Sequence, residues 1–304
     1  MTIDLPRIGP AVVTFGVFDG VHRGHRHLLE ATALAAAERG SRPVAIVFDP
    51  PPPEVIEPGT TVSRLLPVDL VLERLRGAGA GEALTVRFDG ALREMAPEVF
   101  LDALSPSIEL RAVTMTPDSA FGHRRAGTLE RVSEIGAERG FDAIAVAPVE
   151  VSGARISSSQ VRAALGAGDI ATATELLAAR PLLRGTVVRG DGRGRGLGFP
   201  TANLEFDYTP ALPALGIYVG WVTVPARAVG PHHPALVSVG VRPTFHDDAR
   251  VLVEVYLLDY DGDLYDASLS VELGDRLREE RRFASVEELV SQMQADEAEA
   301  RSRL

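Results

Sequence analysis

Hydrophobic and polar positions change rhythm twice along this chain. Residues 11–18 (AVVTFGVF) are almost wholly apolar, which predicts a buried strand ending at Phe18. A glycine turn follows, and the 3.6-residue period of 24–39 predicts an amphipathic helix. A second strand is expected at 43–48 (PVAIVF), with further short apolar runs at 83–87, 110–114 and 143–147. Helical patterns lie between them near 68–76, 97–104 and 128–139, and two more fall within 159–179. Strands alternating with helices of this length predict βαβ units and a parallel sheet.

After Arg180-Pro181 the period shortens. Segments 184–189, 216–224, 235–241, 250–259 and 268–273 are β-type and are separated by Gly, Pro and Asp turns. Tyr260-Asp261-Gly262-Asp263 reads as a hairpin turn between the last two. This spacing predicts an antiparallel barrel or sandwich. Residues 285–303 close the chain as an amphipathic helix, with Ser285 as N-cap and Val286, Leu289, Val290 and Met293 on the apolar face. We place a domain boundary near 180–184, giving domains 1–181 and 182–304. No internal repeat or low-complexity tract is evident.

Composition narrows the function. The 304 residues suffice for two cores, and the net charge of −11 argues against a nucleic-acid binder with a broad basic surface. Cysteine is absent, which removes disulfides, thiolate metal sites and Cys nucleophiles. No apolar run has membrane-helix length and no signal-peptide pattern opens the chain, so a cytoplasmic protein is expected, with no membrane partner. Lysine is also absent, which excludes a P-loop kinase and Schiff-base chemistry. Phosphate must therefore be met by Arg, His, backbone N–H groups or metal.

Two glycine-bearing signatures invite phosphate. The first, Phe15-Gly16-Val17-Phe18-Asp19-Gly20-Val21-His22-Arg23-Gly24-His25, lies where a strand hands over to a helix N-terminus. Free N–H groups and the positive helix end favour an anion there, and Gly20 and Gly24 let the backbone approach. His22 and His25, spaced i, i+3, can donate to a phosphate as charge develops, though such a pair is also common on plain surfaces. A later stretch, Arg155-Ile156-Ser157-Ser158-Ser159-Gln160-Val161-Arg162, precedes a helix. Its serines either cap that helix or offer hydroxyls to outer phosphates, with Arg162 supplying charge.

In the second signature, Gly190, Gly192, Gly194, Gly196 and Gly198 are interleaved with Arg193 and Arg195, and Phe199-Pro200-Thr201-Ala202-Asn203 follows. The preceding strand favours a phosphate nest over a linker. Thr201 and Asn203 are hard oxygen ligands suited to Mg²⁺ carrying ATP phosphates. Glu254 interrupts the apolar segment Val251-Leu252-Val253-Glu254-Val255-Tyr256, where alternation favours an outward carboxylate and function would make it a general base.

The opening motif with the later I-S-S-S-x-x-R resembles the HxGH nucleotidyltransferase superfamily. Together with G-R-G-x-L-G-F-P-T-A-N and the V-E-V strand, it is similar to bacterial bifunctional riboflavin kinase/FAD synthetases across essentially the whole chain. Further matches are Gly216-Ile217-Tyr218, the segment 238–245 and the segment 277–283. The resemblance implies a Rossmann-like α/β nucleotidyltransferase domain followed by an antiparallel β-barrel kinase domain with a C-terminal helix. The implied reactions are phosphorylation of riboflavin to FMN and AMP transfer from ATP to FMN, giving FAD and pyrophosphate. ATP is co-substrate to both and Mg²⁺ the cofactor. It gives ATP handling to Gly16, Phe18, Asp19, Gly20, Gly24, Ser157, Ser158, Ser159 and Arg162 in one domain and to the 190–198 glycines and arginines in the other. His22, His25 and Glu254 become catalytic, Thr201 and Asn203 serve Mg-ATP, and Asp118, Phe121, Arg125 and Arg278 face flavin. A monomer or weak homo-oligomer is expected.

The flavin half of the first site departs from the family pattern. Pro51 stands in Phe48-Asp49-Pro50-Pro51-Pro52 where a His is usual, Thr116 replaces a Gly and Ser119 an aromatic residue. In the second domain Tyr256 and Asp266 stand where His and Gly are common. Two alternatives follow: a riboflavin kinase whose N-terminal domain is impaired or re-targeted, and a non-catalytic flavin-binding regulator. FAD formation from FMN separates the first, and consumption of ATP and riboflavin the second.

Overall fold

The computed structural model describes residues 3–151, 153–190, 193–224, 232–242 and 250–303, without the side chains of Arg193, Arg195, Arg242 and Arg250. Chain contacts divide it into two units, 1–62 with 68–157, and 63–67 with 158–304.

In the first unit β1 (Gly9–Gly16), α1 (Arg23–Glu38), β2 (Arg42–Asp49), the short α2 (Pro52–Ile56), α3 (Val68–Gly77) and β3 (Glu82–Arg87) follow one another. Then come α4 (Gly90–Arg93), α5 (Pro97–Leu104), β4 (Ile108–Met115), α6 (Leu129–Arg139) and β5 (Asp142–Ala145). A two-stranded ribbon of β6 (Glu150–Val151) and β7 (Ala154–Arg155) ends the unit. The five main strands form a parallel sheet in the order β3-β2-β1-β4-β5. Central β1 is buried on both faces, Val13 in one core with Ile46, Phe100 and Ile135, and Val12 against Ala35, Ala36 and Ala112. This explains its continuous apolar run. The chain order reverses beside β1, so the crevice at its C-terminal end is where such sheets bind ligands. The expected strand end at Phe18 is corrected to Gly16, because Phe18 already has φ 53° and is turning.

The second unit starts with α7 (Ser158–Ala167) and α8 (Ile170–Leu177). A closed barrel follows, built from β8 (Leu182–Val188), β9 (Ala202–Glu205), β10 (Gly216–Thr223), β11 (His233–Arg242), β12 (Arg250–Leu257) and β13 (Ser268–Glu279). The one-turn α9 (Arg193–Gly196) lies between β8 and β9, and α10 (Val286–Arg303) closes the chain. Strand order is β10-β11-β12-β9-β8-β13, closed by β13 on β10. Tyr218, Val237, Val239, Val253, Val255, Leu269 and Val271 are fully buried in the barrel's core.

Three expectations change here. The Tyr260–Asp263 stretch does not form a hairpin between the flanking strands, because the β8–β9 pair inserts between β12 and β13. Strand β9, unseen in the sequence, is only four residues long, too short to show alternation. Val286 is 55% exposed, and the inner face of α10 is instead Leu289, Met293, Asp296 and Ala300. Ser285 does cap this helix, its Oγ accepting from the Glu288 N–H at 3.2 Å. Among the described residues no helix is long and apolar enough to cross a membrane.

Candidate active sites

After β1 the backbone makes a compact turn in which Phe18 (φ 53°), Gly20 (φ 79°) and Val21 (φ 48°) are all left-handed and all buried. Non-glycine residues adopt this region at a cost, so the turn is held by its surroundings. It delivers His22 as the N-cap of α1, the His22 Nδ1 accepting from the His25 backbone N–H at 3.3 Å. With Nδ1 an acceptor, the proton of the neutral ring sits on Nε2, which is a donor. The His22 and His25 rings stack with centroids 3.6 Å apart at 15°. Gly24 permits this, since a Cβ there would lie 3.2 Å from His22 Cε1.

Burial lowers the His22 pKa to about 4, Arg155 contributing in the same direction. His25 is held well below the usual histidine range by burial first, then by the charges of His22 and Arg155. Both rings are therefore neutral at pH 7, and the buried His25 Nδ1 finds no hydrogen-bond partner among the described residues. Gly16 ends the strand before this turn, and Asp19 lies within it and is buried.

Arg155 joins this site to the segment after β4. It pairs with Asp118, and its Nη2 donates to Thr116 Oγ1 at 3.5 Å. The Thr116 hydroxyl donates to Asp118 Oδ1 at 2.9 Å and lies 2.6 Å from the Ser119 hydroxyl. Two of the residues that depart from the family pattern, Thr116 and Ser119, thus share one polar network with Asp118 and Arg155. Arg125 Nη2 donates to the Asp118 carbonyl at 3.3 Å. Phe121 is 8% exposed and packs edge-on against Phe15 at 4.5 Å and Phe100 at 5.4 Å, so it is part of the core. Pro51 is buried and N-caps α2. Arg155 was legible only as the start of a serine motif, and nothing local links it to Asp118.

The Ile156 carbonyl lies 3.9 Å from the Cβ position of Gly24, so the serine motif leaves the first unit beside the histidines. Ser157 is that unit's last residue, and Ser158, Ser159 and Arg162 form the first turns of α7, where Arg162 Nη2 donates to Ser159 Oγ at 3.4 Å.

In the second unit a cavity of about 800 Å³ is lined by Gly190, Gly194, Thr201, Asn203, Glu254 and residues of β13 and α10. Cross-strand register sets Glu254 opposite Asn203 on β9 and opposite Ser238 on β11. Thr201 Oγ1 donates to Glu254 Oε1 at 3.3 Å. The glycine loop is drawn tight over these groups: a Cβ on Gly190 would lie 2.3 Å from Asn203 Nδ2, and one on Gly194 would lie 2.4 Å from the Phe199 carbonyl. Arg193 to Gly196 form a helical turn and Gly198 has φ 88°. Gly192 and the side chains of Arg193 and Arg195 lie outside the described residues. Arg278 lines the same cavity, paired to Asp296 of α10 at 2.7 Å. The arrangement offers a carboxylate base, a hydroxyl and an amide oxygen beside a glycine-rich loop, the parts a phosphoryl transfer to an alcohol requires.

Comparison with known proteins matches both halves of the chain. A family model described as FAD synthetase matches residues 6–160, and one described as riboflavin kinase matches 177–304. The bifunctional riboflavin kinase/FMN adenylyltransferase of Pseudomonas fluorescens is 36% identical over 292 residues, covering 96% of this chain and 92% of its own. That of Escherichia coli strain K12 is 35% identical over 291 residues, covering 95% of this chain and 91% of its own. A crystal structure from Streptococcus pneumoniae, described as a macrolide-efflux protein, matches with a TM-score of 0.87 and 30% identity over 98% of this chain and 95% of that one. With two catalytic modules in this order and relatives aligned end to end, the chain belongs to the bifunctional riboflavin kinase/FMN adenylyltransferases, the enzymes of FMN and FAD biosynthesis.

Proposed function

We propose that the two reactions are divided between the two signatures. In the barrel, Glu254 accepts the proton of the riboflavin 5′-hydroxyl, whose oxygen attacks the γ-phosphorus of ATP. The bond to the β-phosphate breaks, leaving FMN and ADP. The observation that carries this assignment is the Thr201–Glu254 contact at 3.3 Å, with Asn203 in register beside it. Thr201 and Asn203 offer hard oxygens that fit Mg²⁺ bound to ATP, and among the described residues no cluster of three His, Cys, Asp or Glu offers another metal site. The ion neutralises phosphate charge when bound. The 190–198 loop supplies backbone N–H groups to the phosphates.

In the N-terminal unit a phosphate oxygen of FMN attacks the α-phosphorus of ATP, and pyrophosphate leaves. The neutral His22 donates from Nε2 to phosphate oxygen, and the N-terminus of α1 adds its N–H groups. Ser157, Ser158, Ser159 and Arg162 keep the phosphate role their motif gives them. Asp118 and Arg125 face FMN, and the Thr116–Asp118–Ser119–Arg155 network takes the place of an aromatic wall. Losing a stacking partner costs on the order of 1 kcal/mol, about fivefold in affinity. The N-terminal site therefore binds ATP but has a high KM for FMN. Residues up to about 181 serve adenylyl transfer and those from 182 the kinase. The protein works in the cytoplasm as a monomer or weak homo-oligomer.

The test is a product assay with riboflavin, ATP and Mg²⁺, followed by FAD formation with FMN varied at saturating ATP. FMN and then FAD are expected. FMN without FAD at any FMN concentration would favour a kinase with a re-targeted N-terminal unit, and unconsumed riboflavin would overturn the reading.

A further inference from the structure

The inner face of α10 carries a residue that packing does not call for. Leu289, Met293 and Ala300 continue an apolar stripe, yet Asp296 lies on it with its side chain 5% exposed. An unpaired carboxylate in such a place is strongly disfavoured. Asp296 is instead saturated: Arg278 Nε donates to Oδ1 at 2.9 Å and Oδ2 at 3.0 Å, and Arg278 Nη2 donates to Oδ2 at 2.7 Å. Gln292 Nε2 donates to Oδ1 at 2.7 Å. Arg278 Nη1 donates to the Glu279 carbonyl at 2.9 Å.

A guanidinium has five N–H groups, and these bonds commit one each from Nε, Nη1 and Nη2, so two remain. Arg278 and Asp296 both line the cavity that holds Glu254. Leu289, Met293 and Phe283 make their end of it apolar, with Arg278 Cζ 5.8 Å from the Phe283 ring. The glycine loop, Thr201 and Asn203 line it too, and they carry the chemistry of phosphate. An ion pair with no net charge suits a neutral acceptor, whereas an unpaired guanidinium would attract polyphosphate.

We propose that Asp296 is a positioning residue for riboflavin. It holds Arg278 so that the two remaining N–H groups meet the carbonyl edge of the flavin ring. It also cancels the guanidinium charge, so this end of the cavity takes the uncharged ring and leaves the triphosphate to the glycine loop. This rests on the kinase reading above, and it assigns the orientation of the substrate within that site.

The test compares wild-type full-length protein with Asp296→Asn and with the apolar pair Arg278→Met plus Asp296→Leu, which replaces a buried ion pair without leaving a lone charge. Riboflavin KM, and riboflavin Kd from quenching of its own fluorescence, should rise about tenfold in both. KM for ATP and adenylyl transfer to supplied FMN should stay within about twofold of wild type. A purely structural ion pair predicts otherwise: unchanged riboflavin KM and Kd in the apolar pair, or both substrates' KM rising together, and either result overturns the proposal. If Asp296→Asn fails to fold, the apolar pair decides alone. A wild-type protein that binds riboflavin but makes no FMN would fail the kinase reading, while Kd in the variants would still test the pair.

Discussion

Glu254 faces away from the barrel interior, where Val253 and Val255 are buried, and alternation alone assigns it to that outer wall. The outer wall is not free surface there: it is the floor of the cavity shared with Arg278 and Asp296. Glu254→Gln keeps the shape and removes the base. FMN formation should fall roughly 10²–10⁴-fold while AMP transfer to supplied FMN is spared; near-normal kinase turnover would end the assignment. His22 gives a prediction in pH. Its native pKa of about 4 lies below the unfolded value of 6.5, so between these the unfolded chain binds more protons. Stability is therefore lost as pH falls from 6.5 towards 4, by roughly 3 kcal/mol for a shift of this size. Calorimetry should show a shallower acid loss in His22→Gln, and parallel pH curves for the two proteins would refute this origin.

At the scale of elements, β9 and the loop before it matter most. β9 pairs with β8 on one side and β12 on the other, which is how a short segment after a glycine loop brings Asn203 opposite Glu254. The atoms nearest a Cβ at Gly190 all belong to the flexible end of Asn203. Gly190→Ala should accordingly displace that amide and lower kinase kcat about tenfold or more, with stability changed by less than about 1 kcal/mol. Measured turnover and thermal midpoint separate the two effects; wild-type turnover would show that Asn203 tolerates displacement. At Gly194 the obstacle is the Phe199 carbonyl, so the same substitution there must move backbone and should cost both.

For the whole molecule, the division by contacts differs from the division by motif. Helices α7 and α8 group with the barrel. The Ala214 N–H bonds to the Leu165 carbonyl at 2.9 Å, Gly168 sits against Arg276, and Arg180 lies 3.6 Å over the Trp221 ring. Residues 63–67 also belong to this unit, Arg64 exchanging backbone bonds with Thr209 and Ala211 at 2.8 Å each. A fragment of residues 158–304 should therefore melt higher than one of 182–304, by several degrees, while both phosphorylate riboflavin. Equal melting of the two would show that the helices add nothing to the barrel.

What the sequence by itself determined was periodicity and chemistry. Runs such as 11–18 and 43–48 are almost wholly apolar because both sheet faces are covered, and the glycines, histidines and serines of each signature are contiguous in the chain. Local pattern shows which face a residue takes and not what covers that face. Only the tertiary structure decided that β8 and β9 separate β12 from β13, and that Arg155 meets Asp118. The same holds for Val286, which is exposed, and for Asp296, which turns inward to Arg278. Each of these depends on partners distant in sequence, whose meeting is settled by closing the barrel and packing the sheet, where a buried charge must find its counterpart or not be buried at all.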